Sequence, residues 1–460
     1  MDVITPMGAL ELALAMRRGE LSSERVTAAF LDRIALRNPQ LGALVSTWPA
    51  RARRRARAFD RQRAAGRAPA GIFAGVPSAI KDTDASRGSR LRMGSRACHG
   101  LLTPFDGAVA RRVRAGGFNL IGKSATSEFA LMPVTETDIH PPCRNPADPA
   151  FSAGGSSGGA AAAVADRLLP VAHGSDAAGS IRIPASFCGL FGLKPSRGLL
   201  PNFYPWLDRG GLCVVNCLAR SVEDSAAFLD ALRGHGYAPD APGPTTLLAA
   251  ARKAPPRLRI RYCQSSPAAE THPAVAAAVE ETAARLRALG HALEAMAPLA
   301  LAVDDFLPVW QHLSATIPLP PGARVQACTA ALRGAGARLA AAHARQLQQR
   351  LAHRVLGWLG AADLWLTPTV GPLPPRVGAH LHGRECDGDA QVRAVAPLAA
   401  FTAPFNVTGQ PAASLPLARF DSGLPIGIQL AARPGADGLL LSVCRQLQQQ
   451  QPFEVGAGGC

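Results

Sequence analysis

The sequence predicts an α/β protein, and two observations carry that expectation. Short apolar segments of strand length alternate along the chain with longer segments of helical periodicity. Hydrophobic residues fill 48% of the 460 positions, enough for a large core. The 45 glycines and 39 prolines are spread along the chain, so they mark many turns and not one disordered tail. The length fits two to four average domains or one large α/β enzyme, and no internal repeat is visible.

Two helices are expected over 5–38. Ala9, Leu12, Ala13 and Met16 share one face, then Val26, Ala29, Phe30 and Ile34, with an N-cap at Ser22-Ser23-Glu24. The run Arg51–Arg67 interleaves eight arginines with alanine and reads as a solvated helix. Ser78–Ile80 is a short strand that Pro77 enters, and it ends at Lys81. A basic helix is expected at 106–115, a strand at Phe118–Gly122, and a helix or turn at Ser127–Met132. Ala160–Asp166 is an alanine-rich helix, and Leu168–Val171 a buried strand weakened by Pro170. Leu212–Val215 is strand-like, and Ser221 with Asp224 caps the helix that follows.

A loop with one short helix is expected at 234–257. A strand at Leu258–Cys263, a helix at His272–Leu289 and a strand at His291–Met296 come next. Residues 301–360 are helical apart from a break at Ile317–Pro321. Ala362–Thr369 and Gly423–Leu430 are strands, and Asp437–Gln450 is the last helix.

Several function classes weaken on inspection. The net charge is +16, which invites a nucleic-acid reading, but aromatics are only 5% and no stacking platform accompanies the arginines. The ten cysteines form no CxxC or CxxH pattern, so no zinc site is expected and reduced thiols in a cytoplasm are. The first residues carry acids and lack a signal-peptide pattern, and no uncharged run of about 18 apolar residues predicts a membrane span. Gly117 to Ser124 fits the Walker A spacing, but strand-like residues fill the place of the phosphate loop. Gly154-x-Ser156-x-Gly158 fits a nucleophile elbow, but a turn-rich loop precedes it where a strand is required.

The chain is organised around Phe151–Pro201. Gly154-Gly155-Ser156-Ser157-Gly158-Gly159 opens the alanine helix, and Asp176-Ala177-Ala178-Gly179-Ser180 forms a second serine-bearing turn. Glycines let backbone N–H groups approach a ligand, so two hydroxyls among such donors suggest acyl transfer. These pieces, with Gly174–Pro184, Phe187–Pro195 and the upstream Gly75–Asp82, resemble the signature of the amidase signature family of serine hydrolases. The resemblance is strong over 71–230 and 361–435 and weak over 235–350.

The resemblance implies one domain over 1–460, with a large mixed, twisted sheet covered by helices on both faces. It implies a Ser–cis-Ser–Lys triad, with Ser180 as nucleophile, Ser156 as bridging serine after Gly155, and Lys81 as base. The N–H groups of Ala177, Ala178, Gly179 and Ser180 would form the oxyanion hole. Ser157, Asp176 and Arg182 would brace it, and His173 reads as a supporting or core histidine. Ala178 departs from the family's usual glycine and is expected to restrict φ there.

Ala130, Met132, Gly155 and Trp310 are expected at the substrate pocket, with Pro318–Pro321 as a further wall. Trp310 reads equally well as a core residue. The implied activity is hydrolysis of small neutral amides, and of carbamates and esters as related substrates, with no metal or organic cofactor. The alternative is the amidase subunit of a glutamyl-tRNA amidotransferase, against which the weak match at 235–350 counts. A non-catalytic basic binding module is disfavoured by the intact Lys81, Ser156 and Ser180. No nucleic-acid or membrane partner is expected, and a homodimer is allowed.

Overall fold

An eight-stranded mixed sheet runs through the centre of the computed structural model, which describes residues 3–67, 71–98, 101–205, 208–234, 246–380 and 387–453. Its order is Ala292–Ala295, Arg259–Tyr262, Leu364–Pro368, Pro425–Ala432, Ala412–Arg419, Phe191–Lys194, Val214–Ala219 and Val171–Asp176. The first three strands are mutually parallel and all the later pairings are antiparallel.

Side chains alternate across the sheet, and so both faces need cover. On one face Leu364 and Leu366 pack in the core cluster that holds residues of the helices Val222–Arg233, Pro273–Ala288 and Asp437–Gln450. On the other face Trp365 packs with Leu351 and Val355 of Ala341–Leu359 and with Phe405 of Ala403–Thr408. Among the described residues no helix is long and apolar enough to cross a membrane.

The large mixed sheet is as expected, and a smaller sheet stands beside it. Lys81 ends the strand Pro77–Lys81, which belongs to a separate three-stranded sheet with Leu44–Thr47 and Asn119–Ser124. That sheet abuts the edge strand Val171–Asp176 through side chains. Ser78 Oγ donates to Val171 O (3.0 Å), and Lys81 N–H donates to His173 Nδ1 (3.3 Å). An imidazole and a hydroxyl thus stand where ladder bonds would continue the sheet.

Other expectations shift in place. The strand expected at Leu168–Val171 begins at Val171, because Pro170 has no N–H to give, and it extends to Asp176. The strand expected at Leu212–Val215 lies at Val214–Ala219, paired with it throughout. Ser127–Met132 forms only the short turn Glu128–Ala130, in which Phe129 (φ 50°) and Ala130 (φ 61°) are left-handed. The Ser221 cap is present, accepting the Asp224 N–H, and the final helix spans Asp437–Gln450. The loop expected at 234–257 contains the helix Leu247–Arg252, and its residues 235–245 lie outside the described residues, as do Cys386 and Cys460.

Candidate active site

Lys81 is fully buried at the end of its strand. Its Nζ lies 2.7 Å from Ser156 Oγ, 2.9 Å from Ser157 Oγ and 3.1 Å from Ser175 Oγ. Three hydroxyls match the three positions of a tetrahedral nitrogen. Burial pulls the amine down from 10.5 to about 8, with Cys213, Asp84 and Asp176 opposing the shift. A neutral lysine is therefore accessible near neutral pH, and its lone pair can accept a hydroxyl proton.

His173 does not compete as a base. Burial and the charge of Lys81 push it down to about 3, and its Nδ1 faces the Lys81 main chain. It supports the lysine strand, as expected of it.

Ser156 follows a cis peptide bond from Gly155 and is fully buried. Thr135 Oγ1 donates to Gly154 O at 2.8 Å and holds the turn ahead of the helix Gly158–Ala165. Gly155 borders neither part of the cleft described below. A Cβ there would meet the backbone of Pro133 and Val134, so its place is to allow close approach of two chains.

The turn carrying Ser180 is held from below. Arg182 Nε donates to Asp176 Oδ2 (3.0 Å) and Nη2 to Asp176 Oδ1 (2.9 Å). Arg182 also donates to Thr402 O, Gln429 Oε1 and Asn406 Oδ1. Burial would raise the Asp176 carboxyl, but Arg182, with Lys194 and Asn406, outweighs it and holds the group at about 2. That carboxylate accepts the N–H groups of Gly179 (2.8 Å) and Ile181 (3.2 Å).

This corrects one expected role. The Gly179 N–H is taken by Asp176, so Gly179 shapes the turn at φ 128° and does not present a free donor. Among the described residues, the N–H groups of Ala177, Ala178 and Ser180 have no partner. Ala178 is not left-handed, so alanine costs nothing there, contrary to the expected restriction. Thr402 Oγ1 donates to Ala178 O at 2.6 Å and fixes the peptide plane.

Ser180 stands where two lobes of a cleft meet. The first, about 870 Å³ and open to solvent, is walled by Met132, Ile183, Phe306, Trp310, Ala403 and other apolar residues, with Ser180 its one hydroxyl. The second, about 610 Å³, is bordered by Ser156, Ser175, Thr83, Tyr204, Cys213 and Ala130. Trp310 borders both lobes, and its Nε1 donates to Leu131 O at 3.1 Å. Ile317 borders the second lobe, but Pro318–Pro321 border neither.

Residues not singled out from the sequence complete the site: Ser175, Thr402, Asn406, Gln429, Asp84 and Tyr204. Tyr204 OH donates to Asp84 Oδ2 (2.8 Å), and burial raises the Asp84 carboxyl to about 6. The Walker-like lysine is structural. Lys123 lies on the buried strand Asn119–Ser124 and pairs with Asp82 at 2.8 Å.

The amidase family profile matches residues 25–315 and 323–441. The chain belongs to the amidase signature family. This amidase is 33% identical over 477 residues to the 6-aminohexanoate-cyclic-dimer hydrolase of Paenarthrobacter ureafaciens, covering 95% of this chain and 93% of that protein. A solved structure of 6-aminohexanoate cyclic dimer hydrolase matches with a TM-score of 0.87 at 32% identity, covering 98% of both chains. The A subunit of the Thermotoga maritima glutamyl-tRNA(Gln) amidotransferase shares the fold, with a TM-score of 0.74 at 22% identity over 99% of this chain and all of that one.

Proposed function

We propose that this amidase hydrolyses neutral amides that carry an apolar acyl part, through a covalent Ser180 acyl-enzyme. The observation that carries the reading is the buried Lys81 Nζ at 2.7 Å from Ser156 Oγ, beside the cleft that Ser156 and Ser180 both border. Neutral Lys81 accepts the Ser156 proton while Ser156 accepts that of Ser180. Ser180 Oγ attacks the carbonyl carbon. The N–H groups of Ala177, Ala178 and Ser180 stabilise the resulting oxyanion, one such donor being worth about 3–4 kcal/mol. The proton returns through Ser156 to the leaving nitrogen, the C–N bond breaks, and water then hydrolyses the ester by the same route.

The two lobes support one orientation of the substrate. Ser156 must deliver the proton to the leaving nitrogen, and it borders only the second lobe. The amine therefore leaves through that lobe, and the acyl part occupies the apolar one. Burial there contributes about 25 cal/mol per Å² of apolar surface, whereas a free α-amino acid would bring unpaired charge. The name of the relative, 6-aminohexanoate-cyclic-dimer hydrolase, supports an amide substrate. Aryl carbamates and esters use the same hydroxyl and donors and fall within the same activity.

The test is kcat/KM under one condition for glutamine, nitroacetanilide, its hexanoyl homologue, 6-aminohexanoate cyclic dimer and a small aryl carbamate. Hexanoyl nitroanilide is expected to exceed the acetyl compound, and both to exceed glutamine. Glutamine ahead by about tenfold would overturn the reading, since that is only about 1.4 kcal/mol of transition-state preference yet has the opposite sign.

A further inference from the structure

Arg51 and Arg55 of the helix Pro49–Ala64 lie beside Arg114 of the helix Ala108–Ala115, and none of the three borders either lobe of the cleft. Two of these guanidinium groups are anchored. Arg51 lies 3.7 Å over the Trp48 ring and donates Nη1 to Arg87 O at 2.9 Å. Arg114 donates Nε to Asp106 Oδ2 (3.1 Å) and Nη2 to Ser86 Oγ (3.2 Å).

The remaining edges are unused. Arg51 Nε and Nη2, Arg55 Nε and Arg114 Nη1 are buried and have no hydrogen-bond partner among the described residues. Asp106 is the carboxylate that acts on both Arg51 and Arg55, and its Oδ1 already accepts the Arg87 N–H at 2.9 Å. Arg54 also acts on Arg51, so four cations stand against one carboxylate and positive charge is in excess. Burial, then Arg114 and Arg55, pull the Arg51 guanidinium down to about 10. Buried donors of this kind are almost always satisfied in folded proteins, and charged ones cost most when they are not.

We propose that Arg51, Arg55 and Arg114 form a binding site for a phosphate dianion, either free or as a small phosphomonoester. The Nε–Nη2 edge of Arg51 is a fork that takes two oxygens of one oxyanion. Arg55 Nε and Arg114 Nη1 supply donors for the others. A dianion also offsets more of that excess than a single carboxylate does, and water offsets none of it. Arg51, Arg55 and Arg114 are each partly buried, Arg114 with 15% of its side chain exposed, so the cluster meets solvent only at its rim. Bound there, the anion would tie the helix Pro49–Ala64 to the segment 86–114.

The experiment uses the full chain purified without phosphate or sulfate. Thermal unfolding and calorimetric titration are followed with inorganic phosphate, phenyl phosphate and sodium chloride at matched ionic strength. The proteins are wild type, Arg55→Gln, the double variant Arg51→Gln/Arg55→Gln, and the control Arg61→Gln on the same helix. Wild type and Arg61→Gln are expected to show a Tm that rises saturably with phosphate. The double variant should bind at least about tenfold more weakly, with Arg55→Gln between, and all should keep their amidase activity. Phenyl phosphate matching phosphate would identify a phosphomonoester site, and phosphate alone binding would identify free phosphate. No phosphate effect beyond that of chloride would overturn the proposal. So would an equal effect in the double variant, which would mean an adventitious ion only.

Discussion

Arg182 and Asp176 form a buried, two-pronged ion pair directly beneath the turn that carries Ser180. The pair has a second layer, because the same carboxylate holds the N–H groups of Gly179 and Ile181 while the guanidinium reaches Thr402, Asn406 and Gln429. The turn that carries Ser180 is therefore tied at once to the edge strand, to the helix Ala403–Thr408 and to the strand Pro425–Ala432.

Arg182→Met leaves the Asp176 carboxylate buried without its cation. Loss of one partner from such a pair costs about 3–5 kcal/mol. Urea unfolding at pH 7 should show that loss in the midpoint. In the wild type, Asp176 has its folded value lowered from 3.8 to about 2. Its stabilising contribution is thus full above about pH 4 and is lost as pH falls toward about 2. Arg182→Met should flatten that part of the stability profile, and an unchanged acid limb would contradict the assignment.

The Ser180 turn separates two neighbouring small residues. Gly179 is left-handed, and a Cβ there would run into Thr402 Oγ1. Gly179→Ala should lower kcat by about 100-fold or more, because displaced oxyanion donors cost on that scale. Ala178→Gly needs no such adjustment and should stay within a few-fold of wild type. Equal loss in both variants would show that the turn geometry is not what matters.

Lys81 acts as a base only when neutral, and burial lowers it to about 8. The neutral fraction rises as pH passes through that value. Below it, kcat/KM should increase about tenfold per pH unit, then level off above about pH 9. Lys81→Ala should lose several orders of magnitude and the alkaline rise together. A flat profile between about pH 6 and 10, with chemistry limiting, would remove lysine from the role.

Trp310 borders both lobes and is anchored through Leu131 O. Trp310→Ala should reduce kcat/KM for hexanoyl nitroanilide by about tenfold or more, from lost apolar contact alone. Labelling of Ser180 by a small fluorophosphonate should persist. Loss of labelling as well would mean that the tryptophan supports the serine turn and not the substrate.

The candidate residues Lys81, Ser156 and Ser180 are legible in the resemblance of their motifs to the family signature, together with a lysine closing an apolar strand. The partners of that lysine are not, because they depend on strand placement. Once the edge strand is set at Val171–Asp176, alternation puts His173 and Ser175 on one face, and both reach Lys81. A strand placed at 168–171 hides this. The boundary between the two sheets left no trace in hydrophobic pattern, because Ser78 and His173 bridge it through side chains. Asp176 accepts the Gly179 N–H across a three-residue turn, and glycine spacing alone says nothing of where that hydrogen points. The arginine run did read as a helix. That Arg51 and Arg55 are partly buried while Arg53, Arg54 and Arg57 face solvent follows from the helix Ala108–Ala115 beside it.

The most direct measurement is intact mass and peptide mapping after treatment with a fluorophosphonate, on wild type and on Ser180→Ala, with amide turnover assayed in parallel. Wild type should gain one adduct, mapped to Ser180, and lose turnover in proportion. Ser180→Ala should remain folded, take no adduct and show no turnover. An adduct on another residue of Ser180→Ala, or hydrolysis surviving in it, would contradict a Ser180 acyl-enzyme.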